Sequence, residues 1–427
     1  MNSDYVPGSG DRLALLYQLS QTFNSSLDLN EVLNRVMDEV IETTHAERGF
    51  VMLQESDSSS GETRLVFRAA RGMDQRSIEE PQFQISRGVV ERVARDGRPL
   101  LTSDAQADSR FNIRESIMLL GLRSILCVPL NAKDRVIGVI YVDSRLQAGV
   151  FTQADLELLT AIASTAAIAI ENARLYQVAV EKGRLERELQ MARKVQASLL
   201  PAEAPQIPGW SFYARWTPAR VVAGDYYDFI PVENGPIHLL VADVTDKGLP
   251  AALFMVFSRS IVRASLDWAP TPAEGISYAN QVICAESTHG LFVTLFYALL
   301  NPESGQLTYV NAGHNPALLY RNSGDRSLSR LANTGRPLGV DPDSRYEQRT
   351  VQLEPEDFIF LYTDGITEAP NASGEEFGLE RLEQILMNCR DDAPVEIVNR
   401  VEQAVAEFIG STTPFDDITI MVARRLA

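Results

Sequence analysis

Leu239-Leu-Val-Ala-Asp-Val-Thr-Asp-Lys-Gly-Leu-Pro-Ala-Ala252 sets a short apolar run against an aspartate, then a glycine and a proline, then the start of a helical pattern. Ile237 to Asp243 reads as a buried strand, and Pro250 to Leu266 as a helix with proline in its first turn. Asp243 therefore stands where a strand stops, with its carboxylate at a sheet rim.

Three more aspartates stand in the same place relative to apolar runs. Asp225 precedes Tyr226-Tyr227, Asp364 closes Phe360-Leu-Tyr-Thr363, and Asp416 or Asp417 precedes Ile418-Thr-Ile420. One strand-end aspartate is ordinarily a turn former. Four in one style point to a cluster, and clustered carboxylates raise each other's pKa unless a cation neutralises them. The histidines are His45, His238, His289 and His314, none paired at helical or turn spacing, so a zinc site of nitrogen and sulfur donors is not expected. Hard oxygen ligands select Mg²⁺ or Mn²⁺. Two such ions roughly 3.5–4 Å apart clamp a phosphoryl oxygen for in-line displacement, which is hydrolysis of a phosphate ester.

Around these aspartates, strands are expected at Tyr226 to Val232, Phe292 to Leu300, Leu307 to Val310, Ala317 to Tyr320, Phe358 to Thr363 and Ile418 to Val422. Helices are expected at Pro272 to Glu286, Leu379 to Asn388 and Pro394 to Phe408. The natural layering is an antiparallel β-core flanked by helices. Asn301-Pro-Glu-Ser-Gly305 and Asn311-Ala-Gly-His314 read as hairpin turns.

Val222-Ala-Gly-Asp-Tyr-Tyr-Asp-Phe229, Ala242-Asp-Val-Thr-Asp-Lys-Gly-Leu-Pro-Ala-Ala252, Phe292-Val-Thr-Leu-Phe296, Asn311-Ala-Gly-His-Asn-Pro316, Pro337-Leu-Gly339, Leu361-Tyr-Thr-Asp-Gly-Ile-Thr-Glu368 and Phe415-Asp-Asp-Ile-Thr419 resemble, in order, the motifs of PPM-type phosphatases of the stage II sporulation protein E class. The resemblance implies an α+β fold, a β-sandwich flanked by helices, over residues 204–427. It implies a serine/threonine phosphoprotein phosphatase with two Mn²⁺ or Mg²⁺ ions. Asp225 and Asp243 would bridge or flank the metals, the backbone carbonyl of Val244 would complete one shell, and Asp364 and Asp416 would hold the other. Asp417 takes a supporting role, although which of the adjacent pair ligates stays open. Arg220 falls where many members keep a basic residue and is expected to hold the substrate phosphate. Thr245 stands where eukaryotic members carry a histidine proposed as general acid, so no protein acid is visible. The helix from Pro250 resembles the family's switch helix. The implied substrate is a phosphorylated STAS-type anti-anti-sigma protein, and the alternative is a catalytically inactive scaffold of the same fold.

Upstream, helices are expected between Asp11 and Val40 (Leu13, Leu16, Leu19, Phe23, then Val32, Leu33, Val36, Val40), broken at Asn24-Ser25-Ser26. Strands at Gly49 to Leu53, Leu65 to Ala69, Ile125 to Pro129 and Val136 to Val142, with a helix at Gly88 to Asp96, make an α/β unit. Leu126-Cys-Val-Pro-Leu130, Val136-Ile-Gly-Val-Ile-Tyr-Val-Asp-Ser144 and Phe151 to Ala173 resemble a GAF domain, an antiparallel sheet with helices, over residues 11–173. Its ligand is unknown: the residues of cyclic-nucleotide-binding members are missing, and Cys127 reads as a core cysteine. Thr152 and Asp155 form an expected capping box for a helix running to Leu200. With Leu175, Lys182, Leu189 and Gln196 at a, and Val178, Leu185, Ala192 and Leu199 at d, residues 174–203 read as a coiled-coil linker of a homodimer with polar faults.

The 427 residues call for more than one core, and the 57 acidic against 39 basic residues, net charge -18, argue against nucleic acid as a partner. Three scattered cysteines fit a reducing cytoplasm. The apolar run Leu158 to Ile170 is interrupted by Thr160, Ser164 and Thr165 and falls short of the roughly 18 residues of a membrane helix, so no span is expected.

Overall fold

The computed structural model describes residues 9–56, 63–72, 74, 85–105, 121–233, 235–287, 290–322, 326–411 and 415–427. The side chains of Leu13 and Leu16, and residue His289, lie outside that set. The chain divides into two compact units, Met1–Arg184 and Leu185–Ala427.

In the first unit the two expected N-terminal helices are α1 (Ser9–Phe23) and α2 (Leu29–Thr44), the second capped by Asp28, whose side chain accepts from the Glu31 amide at 3.0 Å. β1 (Arg48–Ser56), β2 (Thr63–Gly72), β3 (Leu100–Thr102), β4 (Ser124–Ala132) and β5 (Arg135–Ser144) form one antiparallel sheet in the order β2-β1-β5-β4-β3. Its alternating side chains serve two cores. Leu126, Val128, Ile140 and Val142 pack with α1, α2 and the start of α4 (Gln153–Leu199), while Phe50, Tyr141, Ile125 and Cys127 pack with α3 (Arg87–Asp96). Burial on both faces explains the near-continuous apolar runs. The capping box forms: the Thr152 amide donates to Asp155 at 2.8 Å and the Asp155 amide to the Thr152 hydroxyl at 3.4 Å.

The second unit is a sandwich. β7 (Tyr226–Pro231), β8 (Ile237–Val244), β9 (Val293–Leu300), β10 (Gln306–Ala312) and β13 (Arg349–Gln352) make one sheet, in the order β13-β10-β9-β8-β7. β6 (Trp210–Thr217), β11 (Leu318–Arg321), β12 (Ser327–Arg330), β14 (Phe358–Tyr362) and β15 (Ile418–Arg425) make the other, in the order β12-β11-β14-β15-β6. Between them lie Phe212, Phe229, Leu239, Val241, Phe296, Leu319, Ile359, Leu361 and Met421. Outside the first sheet pack α5 (Leu249–Leu266) and α6 (Pro272–Glu286); outside the second pack α7 (Leu379–Asn388) and α8 (Pro394–Ile409). Proline stands in the first turn of α5, α6 and α8, where its missing N–H costs nothing.

Asn301–Gly305 is the expected hairpin turn, with the Gly305 amide donating to the Asn301 carbonyl at 2.9 Å and Gly305 at φ 77°. Asn311-Ala-Gly-His314 is a turn of another kind. β10 ends at Ala312 and the chain crosses to β11 in the opposite sheet, because the β10 edges are already taken by β9 and β13.

Among the described residues, Gln153–Leu199 and Leu249–Leu266 are long and apolar enough to cross a membrane. Each instead spends its apolar face on a core, through Ile162, Ala166 and Ile170 in one and Ala251, Met255 and Val262 in the other.

Candidate metal and phosphate site

Strand register places the carboxylates. Tyr226 pairs with Ala242, so Asp225, one residue before, stands across from Asp243, one residue after. In the other sheet Tyr362 pairs with Ile420, and the Thr363 amide continues the ladder to the Thr419 carbonyl at 3.1 Å, which carries Asp364 and Asp416-Asp417 to the same end. The two sheets are tied through Asp225, which is 2% exposed and accepts on Oδ2 from the hydroxyls of Thr363 and Thr419, both at 2.8 Å.

Burial, then Asp243 and Asp417, hold the Asp225 carboxyl well above the usual range. Burial, then the nearby Asp364, push Asp243 up to about 7, partly offset by its hydrogen bond with Asp225. Burial, with Glu368 and Asp416, raises Asp364 to about 6, opposed by Lys247. The four expected aspartates thus stand in one electrostatic cluster, with Glu368 as an addition. Among the described residues no group of three or more His, Cys, Asp or Glu side chains is gathered into a ready-made metal cage. One of the carboxylates, Asp416, is paired with Lys247.

Asp416 and Asp417 are both engaged on both oxygens but with different partners, and Asp416 accepts on Oδ1 from the Asp417 amide at 2.9 Å. Asp417 has both oxygens committed, Oδ1 to the Ala219 amide at 2.8 Å and Oδ2 to the Gly224 amide at 2.9 Å. Asp416 turns Oδ2 to the Lys247 ammonium at 2.7 Å, and that ammonium also donates to the Phe415 carbonyl and lies 3.8 Å from the Phe415 ring centroid. Asp417 therefore shapes the loop before Asp225, and Asp416 is ion-paired with Lys247. Two glycines permit these approaches: a Cβ on Gly365 would lie 2.0 Å from the Asp417 carbonyl oxygen, and one on Gly224 would lie 3.0 Å from the Val244 carbonyl oxygen. The Val244 carbonyl thus faces the Asp225 loop.

Arg220 is exposed on that loop, with a guanidinium nitrogen 3.8 Å from the Cβ position of Gly248 at the start of α5, and it has no ion pair among the described residues. Thr245 is spent on Phe292, exchanging amide-to-carbonyl and amide-to-hydroxyl bonds at 3.0 and 3.1 Å. His314 is buried, its Nδ1 lies 2.8 Å from the Thr294 hydroxyl, and burial lowers its pKa to about 4. Neither is a proton donor facing the carboxylates. Sequence reading missed Lys247, Thr363 and Thr419, although all three lie inside the quoted motifs. Polar residues abutting the strand-end aspartates were the available signal.

A family profile described as Stage II sporulation protein E (SpoIIE) matches residues 233–426, and one described as GAF domain matches residues 26–171. Phosphoserine phosphatase RsbU of Bacillus subtilis is 31% identical over 247 residues, which span 56% of this chain and 71% of RsbU. The chain belongs to the SpoIIE-type phosphatase family. Protein IcfG of Synechocystis is 30% identical over 275 residues, 58% of this chain but 43% of IcfG. The SiaA-PP2C domain of Pseudomonas aeruginosa shares the fold, with a TM-score of 0.53 at 21% identity over 58% of this chain and 99% of that domain. Asp225 lies just ahead of the SpoIIE-type match, so its place in the site rests on the register with Asp243.

The raised carboxylates of the SpoIIE-type unit carry a pH signature. Between the ordinary value of 3.8 and the folded values of about 6 for Asp364 and about 7 for Asp243, the folded unit holds protons that the unfolded chain has released. In chelator, its thermal midpoint is expected to fall as pH rises through that window. Added Mn²⁺ is expected to reverse the fall at pH 7, where cation binding displaces the protons that the raised carboxylates still hold. Scanning calorimetry at pH 5 and 7, with and without Mn²⁺, checks both.

Proposed function

We propose that this chain is a divalent-metal-dependent protein phosphatase acting on phosphoserine or phosphothreonine. The observation that carries it is the convergence of Asp225, Asp243, Asp364 and Asp416 from two sheets, with burial and mutual repulsion raising three of them. An all-oxygen donor set of this charge fits Mn²⁺ or Mg²⁺. Asp225, Asp243 and the Val244 carbonyl would hold one side of a two-ion site, and Asp364 and Asp416 the other. Such ions supply water activation and charge neutralisation at a phosphoryl group.

The protein's own residues do the rest. Asp416 would turn from Lys247 to hold the ion, with the ammonium remaining beside the site. Thr363 and Thr419 fix the Asp225 carboxylate, and Asp417 fixes its loop. Arg220 binds the substrate phosphate, bidentate geometry being what a guanidinium offers. Thr419→Val is expected to lower Mn²⁺ affinity by about 10–100-fold, the usual cost of losing an outer partner of a ligand. Titration of Mn²⁺ against activity reads it out, and an unchanged midpoint would remove Thr419 from the site.

RsbU carries the name phosphoserine phosphatase, and we take the same substrate class here, on a small phosphorylated STAS-type regulator in the cytoplasm. The GAF unit controls the SpoIIE-type unit through a homodimer. Supporting this, the apolar a and d residues Leu175, Val178 and Leu185 are 59%, 60% and 55% exposed in the single chain. The decisive assay is Mn²⁺-dependent release of phosphate from phosphoserine STAS proteins. No release with Mn²⁺ or Mg²⁺ would favour an inactive scaffold.

A further inference from the structure

Gln196, expected at an a position facing a partner helix, is turned inward in the SpoIIE-type unit and is 3% exposed. Its amide nitrogen donates to the carbonyls of Ala223 at 2.9 Å and Ala252 at 3.2 Å, and its oxygen accepts from the Ala223 amide at 3.2 Å. One side chain therefore clasps both backbone groups of a fully buried residue two positions before Asp225. The same side chain holds the first turns of α5, the helix that follows Asp243. The end of α4 is anchored beside it: Leu200 packs with Tyr226, Ala251 and Met255, and the Tyr227 hydroxyl donates to the Pro201 carbonyl at 3.1 Å.

We propose that Gln196 is a positioning residue for the carboxylate site. It fixes the spacing between the Asp225 loop, which Asp417 holds from the other sheet, and the N-terminal end of α5, which follows the Asp243–Val244 segment. The last turn of the long helix thereby sets whether both halves of the site share one cation. An apolar side chain of equal length would leave the Ala223 N–H and C=O buried without partners, which the loop relieves only by moving. This inference rests on the metal site proposed above.

The test uses the full chain with Gln196→Met, and with Gln196→Asn, which keeps the amide but shortens its reach. Two readings are taken: hydrogen exchange of the peptide spanning residues 219–225 in chelator, and Mn²⁺ binding followed by electron paramagnetic resonance. The expected result is faster exchange in that peptide, with β8 and β9 unchanged. Mn²⁺ binding is expected to weaken about tenfold, the scale of a lost outer partner. KM for a phosphoprotein stays constant, and excess Mn²⁺ restores kcat, which a general loss of structure would not allow. Unchanged exchange overturns the clasp whether or not metal binds. Faster exchange with wild-type Mn²⁺ affinity overturns its link to the site. A wild-type chain that binds no Mn²⁺ overturns the metal reading, and with it that link.

Discussion

Asp364→Asn is expected to abolish Mn²⁺-dependent phosphatase activity while leaving a folded protein whose thermal midpoint in chelator is unchanged or higher. The two effects have opposite signs because Asp364 is a liability without a cation. Burial, Glu368 and Asp416 raise its carboxyl to about 6, so removing the charge relieves repulsion. The amide keeps the size but loses the anionic ligand, and the activity loss should exceed the roughly 10–100-fold typical of an outer partner. Phosphate release at saturating Mn²⁺, beside a calorimetric scan, separates this from a packing defect, which would lower both. Activity within a few fold of wild type would take Asp364 out of the site.

Asp228→Ala is expected to produce the largest loss of stability in the SpoIIE-type unit. Asp228 on β7 is 1% exposed and accepts from Arg259 at 2.7 Å and Arg263 at 3.0 Å, both on α5. Arg259 is itself buried, so deleting the acid leaves a guanidinium out of water without a counter-charge. Breaking such a pair from one side costs about 3–5 kcal/mol, a large part of the roughly 5–15 kcal/mol that holds an ordinary domain. Urea unfolding of the unit measures it. Replacing both members, Asp228→Leu with Arg259→Met, should recover much of the loss, since the paired charges contribute little net stability over well-packed apolar groups. A single variant as stable as wild type would show the guanidinium finding water.

The layered β-core, the flanking helices and the strand-end aspartates were legible because burial leaves period and strand-end signals. Leu379–Asn388 and Pro272–Glu286 have the expected bounds. The missed strands fail that test for different reasons. Ser327–Arg330 and Arg349–Gln352 are short, mostly exposed edges, formed because sheet neighbours offer hydrogen bonds rather than because their own side chains demand burial. Trp210–Thr217 does alternate, with Trp210 and Phe212 inward, but it follows Pro208-Gly209 and carries Arg215, which masked the pattern. At the site, the choice between Asp416 and Asp417 was not readable from two adjacent identical residues. What separates them is tertiary: Asp417 meets the Ala219 and Gly224 amides, nearly 200 residues earlier, and Asp416 meets Lys247. Gln196 was misread for a similar reason: a heptad position says which side of a helix a residue occupies, not which body covers it.

The pairing of β6 with β15 joins the first strand of the sandwich to its last, from Trp210 against Arg425 to Thr217 against Ile418. During synthesis, neither that sheet nor the Asp416-Asp417 corner can form until the final strand has left the ribosome. Closing so long a loop before any long-range contact rewards it places the unit among slow-folding topologies. A nascent chain that has already made Asp225, Asp243 and Asp364 therefore lacks the strand that completes their cluster until β15 emerges.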